Sequence, residues 1–184
     1  MIENEEKIVL RYSPELEHDL ITKYGWHDIR QGYFNSNNRI REITHQSGRM
    51  NHVFSFKQRL PNGHNIEIES DEITKQDFDH IWQFTENRLI KRRVTCFITI
   101  DDPKNHEGHS AIRWDIDFPQ WESGVKHFGM AEVEMPVYME KPPFILADIA
   151  PHVVYEVPRS DNRFSAKKLS DEKHARKMAK ELSL

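Results

Sequence analysis

The chain is poor in the features that mark several common protein classes. It has a single cysteine, Cys96, so no disulfide framework can form within it, and this composition fits a reducing compartment. No segment approaches eighteen apolar residues, and Met1-Ile2-Glu3-Asn4-Glu5 lacks a basic stretch followed by an apolar run. The expectation is a soluble cytoplasmic protein with no membrane partner. Excess charge is also missing: 26 Lys and Arg against 30 Asp and Glu leave −4, too little for a global field that attracts nucleic acid or membrane. There is no fixed-period repeat, no low-complexity tract and no linker, so residues 1–184 read as one domain, and 37% hydrophobic content with 10% aromatics supplies a core for it.

Strand-like alternation occupies about residues 2 to 12, 28 to 34, 38 to 45, 51 to 60, 64 to 71, 88 to 100, 109 to 118 and 127 to 138. Turn signals stand at Asn35 to Asn38, Pro61-Asn62-Gly63 and Asp101-Asp102-Pro103. Ser13-Pro14 caps a short amphipathic helix with Leu16, Leu20 and Tyr24 on one face. A second helix starts near Thr74 and aligns Phe78, Ile81, Trp82 and Thr85. A third follows a Ser170 cap, with Ala175, Met178, Ala179 and Leu182 as its stripe. All three read as scaffold. The proline-broken stretch 142–157 supports only a short helical turn. Eight strands with few helices predict an α+β fold, a closed eight-stranded antiparallel β-barrel with peripheral helices.

The informative pattern is charge at spacing two, since residues i and i+2 of a strand share a face. Glu3 and Glu5 precede Lys7 on one face; Arg39 and Arg41, Glu67 and Glu69, Lys91 and Arg93, Asp115 and Asp117, and Glu132 and Glu134 repeat the spacing. Chance alone supplies about five acid-x-acid pairs in such a chain, so one pair carries little. On a half-buried strand such charges ordinarily face water. Several strands carrying same-sign pairs between apolar residues fit better if the charged faces line a barrel lumen and the apolar faces meet covering helices. Acidic and basic strands alternate along the chain.

Buried charges at this density cost several kcal/mol each unless paired or bound to ions, so such a lumen calls for a highly charged ligand. Lys7, Arg39, Arg41, Lys57, Lys91 and Arg93 suit phosphate oxygens. The carboxylates suit hard divalent cations, Mg2+ or Mn2+, that bridge carboxylate and phosphate. A polyphosphate with metal satisfies both sets. The eleven histidines match no metal-ligand spacing.

The ordered set of segments resembles the CYTH family, the triphosphate tunnel metalloenzymes. Glu3-Asn4-Glu5-Glu6-Lys7 is similar to its E-x-E-x-K signature; Gln31-Gly32-Tyr33, Arg39-Ile40-Arg41, Phe56-Lys57, Glu67-x-Glu69, Lys91-x-Arg93, Trp114-Asp115-Ile116-Asp117 and Glu132-Val133-Glu134 follow in family order, and Glu156-Val157-Pro158 and Asn162-Arg163-Phe164-Ser165 resemble its last blocks. Gln58, Asn65, Pro158 and Ala166 depart from the family pattern. The resemblance implies hydrolysis of a phosphoanhydride bond in a triphosphate, with Glu3, Glu5, Glu132 and Glu134 holding one metal, and Glu67, Glu69, Asp115 and Asp117 holding or orienting a second metal and its water, Asp117 being counted also as a metal ligand. Lys7, Arg39, Arg41, Lys57, Lys91 and Arg93 then clamp phosphates, Lys7 counting among the catalytic groups, and Arg163 closes one end. Inorganic triphosphate, thiamine triphosphate, nucleoside triphosphate and an RNA 5′-triphosphate end stay open as substrates. Lys167, Lys168, Lys173, Arg176, Lys177 and Lys180 offer a basic rim for RNA, although the interleaved acids favour a solvated helix face. A class IV adenylate cyclase and a non-catalytic polyphosphate-binding module are the alternatives; the two residues before Glu3 favour the hydrolase over the cyclase.

Overall fold

The computed structural model describes residues 2–34, 37–61, 64–70, 72–121 and 123–184. Met1, Asn35 and Ser36 of the first expected turn, Asn62 and Gly63 of the second, and Asp71 at the expected end of the fifth strand-like stretch lie outside the described residues.

Ten strands, β1 (Ile2–Glu3), β2 (Glu5–Leu10), β3 (His27–Tyr33), β4 (Asn38–His45), β5 (Met50–Arg59), β6 (Asn65–Glu69), β7 (Asn87–Asp101), β8 (His109–Gln120), β9 (Gly129–Glu134) and β10 (Val153–Val157), form one antiparallel sheet in the order β1-β6-β5-β4-β3-β7-β8-β9-β2-β10. The sheet is curled into a half-barrel and is not the closed eight-stranded barrel that the pattern predicts. Two features account for the difference. The first strand-like stretch breaks at Asn4, so that Ile2 and Glu3 pair with Ile66 and Asn65, while residues 5–10 pair with β9 and β10. The tenth strand comes from the proline-broken stretch, where it adds to β2 through Val157↔Lys7.

Asn4 holds this break in place. It is 1% exposed, its Nδ2 donates to the Pro136 and Met139 carbonyls at 2.7 Å each, and its Oδ1 accepts from Arg159 Nη2 at 2.7 Å. The N-terminal segment thus reaches both the β6 edge and the β9 edge of the sheet, setting Glu3 and Glu5 on either side of the break.

Helix α1 (Pro14–Tyr24) starts where its cap predicts, with Ser13 Oγ accepting from Leu16 N at 3.0 Å. It lays Leu16 and Leu20 on the outer face of β7, β8 and β9, whose Val94, Cys96, Ile112, Trp114, Ile116, Phe118, Ala131 and Val133 fill that core. Helix α2 (Lys75–Trp82) is capped by Thr74 and buries Phe78; Thr85, expected on its stripe, lies beyond its end. The C-terminal helix divides into α3 (Ala166–Leu169) and α4 (Glu172–Glu181), and Asp171 caps α4 in place of the expected Ser170 by accepting from Lys173 N and His174 N. Their apolar side packs with Val9, Trp121, Phe128 and Met130 into a second core. Val9 and Met130 share a face with Lys7 and Glu132, so the inner face is charged along part of its length and apolar where the C-terminal helices cover it. Among the described residues no helix is long and apolar enough to cross a membrane.

At Gly32 a Cβ would lie 2.6 Å from Thr85 Cγ2, below any tolerated separation. Gly32→Ala is therefore expected to cost about 1–3 kcal/mol in urea unfolding, the usual range for overpacking, and a change under 0.5 kcal/mol would show that the loop carrying Thr85 yields freely.

Candidate functional site

The spacing-two pattern resolves into one surface. The inner face of the curled sheet surrounds a cavity of about 1290 Å3, above the roughly 300–1,000 Å3 usual for small-molecule sites. Among the described residues lining it, ten are lysine or arginine and seven are glutamate or aspartate, in a chain whose overall charge is negative.

The alternation of acid and base along the chain becomes segregation in space. Because β6 pairs with β1 and β3 pairs with β7, the strands β5, β4, β3 and β7 stand side by side and present Lys57, Arg59, Arg39, Arg41, Lys91 and Arg93. The strands β9, β2, β1 and β6 present Glu132, Glu134, Glu5, Glu3, Glu67 and Glu69. Lys7 and Arg113 are the cations set into the acidic sector.

The basic wall is fixed from behind on its β7 side. Arg93 donates through Nε and Nη2 to both Asp117 oxygens, at 2.6 and 2.7 Å, and through Nη1 to Asp115 Oδ2 at 2.6 Å. Lys91 Nζ donates to Asp117 Oδ2 at 2.6 Å, and Thr95 Oγ1 to Asp115 Oδ1 at 2.7 Å. Such bidentate, charge-assisted bonds set the guanidinium plane as well as its position. Burial and the adjacent Arg93 push the Lys91 ammonium down to about 8, with Asp117 opposing them. Asp117, despite a burial penalty, is held below the usual carboxylate range by Arg93 and Lys91.

Opposite stands a mixed cluster. Lys57 Nζ lies 2.7 Å from Glu3 Oε2, 3.2 Å from Glu5 Oε2 and 3.6 Å from Glu67 Oε2. Lys7 joins Glu132 and lies 3.3 Å from Glu5 Oε1. Burial raises Glu3 to about 7, with Lys57 opposing and Glu67 adding to the rise. Glu67 is also penalised by burial, yet Arg39, a hydrogen bond with Glu3, and Lys57 bring it down to about 2. The two carboxyls therefore share one proton over most of the pH range between those values.

Arg39 pairs with Glu67, and Arg41 with Glu69 and with Ser55 Oγ, the last at 2.9 Å. The Nε of each arginine is nevertheless buried without a hydrogen-bond acceptor among the described residues. A buried donor without an acceptor costs roughly 1–3 kcal/mol, so these two on one strand are open to an acceptor entering the cavity.

Of the residues singled out from sequence, Glu3, Glu5, Lys7, Arg39, Arg41, Lys57, Glu67, Glu69, Lys91, Arg93, Glu132 and Glu134 line the cavity together. Asp115 and Asp117 are 4% exposed each and stand behind Arg93 rather than on the cavity surface. Arg163 is not among the lining residues; it faces outward, paired with Asp161 and Glu181. Sequence reasoning missed Arg113, which shares the Asp115 face and ties Asp115 at 3.0 Å to Glu134 at 3.1 Å. Spacing two from Asp115 was the available signal. Also missed were the lining roles of Gln31, Tyr33, Arg59 and Asn65, while Lys167 and Lys168 from the supposed solvated face reach the cavity's border.

The carboxylate oxygens in the acidic sector are of the donor type that a hard divalent ion takes. Glu5 and Glu134 are register partners across β2 and β9, as are Glu132 and Asp115 across β9 and β8, and like charges placed directly opposite repel unless a cation intervenes. Lys7 and Arg113 now intervene. Among the described residues no group of three acid, histidine or cysteine side chains is gathered as a metal-ion site. Compared with protein-family models and with curated proteins, the chain matches none.

Removing one partner of a buried ion pair strands the other charge. Asp117→Ala leaves Lys91 and Arg93 short of their shared carboxylate and is expected to cost about 3–5 kcal/mol in chemical denaturation; a loss below 1 kcal/mol would mean that the wall is not held by this lattice. The Lys91 proton gives a pH signature. The folded chain releases it near pH 8 and the unfolded chain near 10.5, so between those values stability gains from this group as pH rises. Anion affinity moves the other way. Metal-free binding of inorganic tripolyphosphate, followed by calorimetry, is expected to weaken from pH 7 to 9, and Lys91→Met to remove part of that dependence, loss of the Glu3 proton supplying the rest.

Proposed function

We propose that this chain is a metal-dependent triphosphate hydrolase of the CYTH type, acting in its charged cavity on the phosphoanhydride bond of an inorganic or organic triphosphate. One observation carries the reading: a basic wall holding two unpaired buried guanidinium donors faces an acidic wall across a cavity large enough for the substrate. Simple anion binding needs the first wall only. The acidic wall is accounted for when cations enter with the anion.

In this reading Arg39 and Arg41 turn from Glu67 and Glu69 to phosphoryl oxygens, while Lys57, Lys91 and Lys7 neutralise the remaining charge. Arg93, fixed by Asp115 and Asp117, is a rigid donor whose position costs nothing at the moment of reaction. Glu5, Glu132 and Glu134, with Glu3, would hold Mg2+ or Mn2+, which supplies charge neutralisation and makes a bound water more acidic. Asp115 and Asp117, occupied by Arg93, act as positioning groups in this scheme and not as metal ligands. Water attacks the terminal phosphorus, the bridging P–O bond breaks with its electron pair on the leaving diphosphate, and the water proton passes to a phosphoryl oxygen.

Glu5→Gln and Glu134→Gln, if folded, are expected to lower orthophosphate release from tripolyphosphate with Mg2+ or Mn2+ by about 100-fold or more, the scale of an electrostatic catalytic group. Wild-type rates in both variants would refute the scheme. Product analysis separates the other readings, since cyclic AMP with diphosphate would make the chain a cyclase, and metal-dependent binding without turnover would make it a receptor.

A further inference from the structure

Between the basic strands β4 and β7 lies β3, and its inward residue at the centre of the wall is neutral. Gln31 is register partner to Arg41 on one side and to Leu89 on the other. It is 1% exposed and borders the cavity. Its Nε2 donates to Tyr33 Oη at 3.0 Å, and its Oε1 is buried with no hydrogen-bond partner among the described residues.

That unmet hydrogen bond differs from those on Arg39 and Arg41. Their free Nε donors call for an acceptor, which a phosphoryl oxygen supplies. The amide oxygen calls for a donor. An ionised phosphoryl oxygen has no proton to give, and none of the neighbouring cations, Arg41, Lys91 or Arg93, donates to Gln31 Oε1. Water is the component of a hydrolysis that is both small and a proton donor. A carboxylate in this place would repel the phosphates, and a cation would bind them; an amide accepts from water without either effect.

We infer that Gln31 is a positioning residue, holding through its Oε1 the water that attacks the terminal phosphorus. The inference rests on the hydrolase reading above. The step forms one P–O bond from the water oxygen and breaks the bridging P–O bond. One water proton stays in the hydrogen bond to Gln31 during attack, and the other passes to a phosphoryl oxygen. Tyr33 fixes the amide by occupying its other end. A glutamine that orients water has the advantage, in this setting, of adding no charge to a wall whose job is to attract anions.

The test uses the full chain with inorganic tripolyphosphate and Mg2+ or Mn2+, and a non-hydrolysable imido analogue of it as the binding probe. Gln31→Leu is expected to lower kcat by about 30-fold or more, with KM and analogue affinity within about twofold, since a misplaced nucleophile loses rate and not ground-state binding. Gln31→Glu, which keeps an acceptor in the same place, is expected to recover part of kcat while raising KM through repulsion, and it stands in should Gln31→Leu fail to fold. Three results overturn the inference while leaving the hydrolase reading intact. They are wild-type kcat in Gln31→Leu, a rise in KM at unchanged kcat, which would make the residue a phosphate donor with its amide turned over, or no recovery in Gln31→Glu. Absence of phosphate release by the wild-type chain would remove the hydrolase reading and this inference together.

Discussion

Two sets of like charges, each too dense to stand alone, are brought face to face on the inside of one curled sheet, and the rest of the architecture serves that confrontation. The β7–β8 hairpin bears the strictest part of it. On its inner face Arg93 is gripped by Asp115 and Asp117; on its outer face Val94, Cys96, Trp114, Ile116 and Phe118 fill a core under α1. A slip of one residue would put the carboxylates into the hydrocarbon and the tryptophan into the charged cavity, so both faces enforce the same register. Burial of the charges is tolerable because nearly every one has a partner, and the charged residues that keep a buried atom without a hydrogen bond, Glu3, Arg39 and Arg41 among the described residues, all line the cavity.

Much of this was legible in the sequence. Each of the eight strand-like stretches is a strand or contains one, because alternation with turn residues at the ends is a local property. The cap at Ser13 and the helix start near Thr74 hold for the same reason, whereas the cap expected at Ser170 is supplied by Asp171. The departure from the closed barrel was not legible. It depends on Asn4, whose amide bonds to carbonyls more than a hundred residues away, and on β10, which a proline-rich approach disguises. Nor could strand order be read. Acid and base alternate along the chain, and the pairings of β6 with β1 and of β3 with β7 sort them into sectors.

Within the site, sequence spacing identified the inward-facing charges but not which of them face the cavity and which support the ones that do. Asp115 and Asp117 have the same spacing signature as Glu132 and Glu134, yet the former are consumed by Arg93. Arg113 carries the same signature with the opposite sign from its neighbours, which is why a search for like-charged pairs passed over it. Gln31 is invisible to any reading based on charge; its distinction is an unmet hydrogen bond, a property of the fold alone.

The two halves of the basic wall are neutralised differently, and this governs the order in which ligands can load. Lys91 and Arg93 have partners on the adjoining strand β8, whereas Arg39 and Arg41 reach past β5 to Glu67 and Glu69 on β6. In the proposed hydrolase, an anion that captures Arg39 and Arg41 would evict two carboxylates at once and leave them without counterions. Anion uptake would then create demand for cations, cation uptake would free the arginines, and reciprocity would require positive coupling between the two.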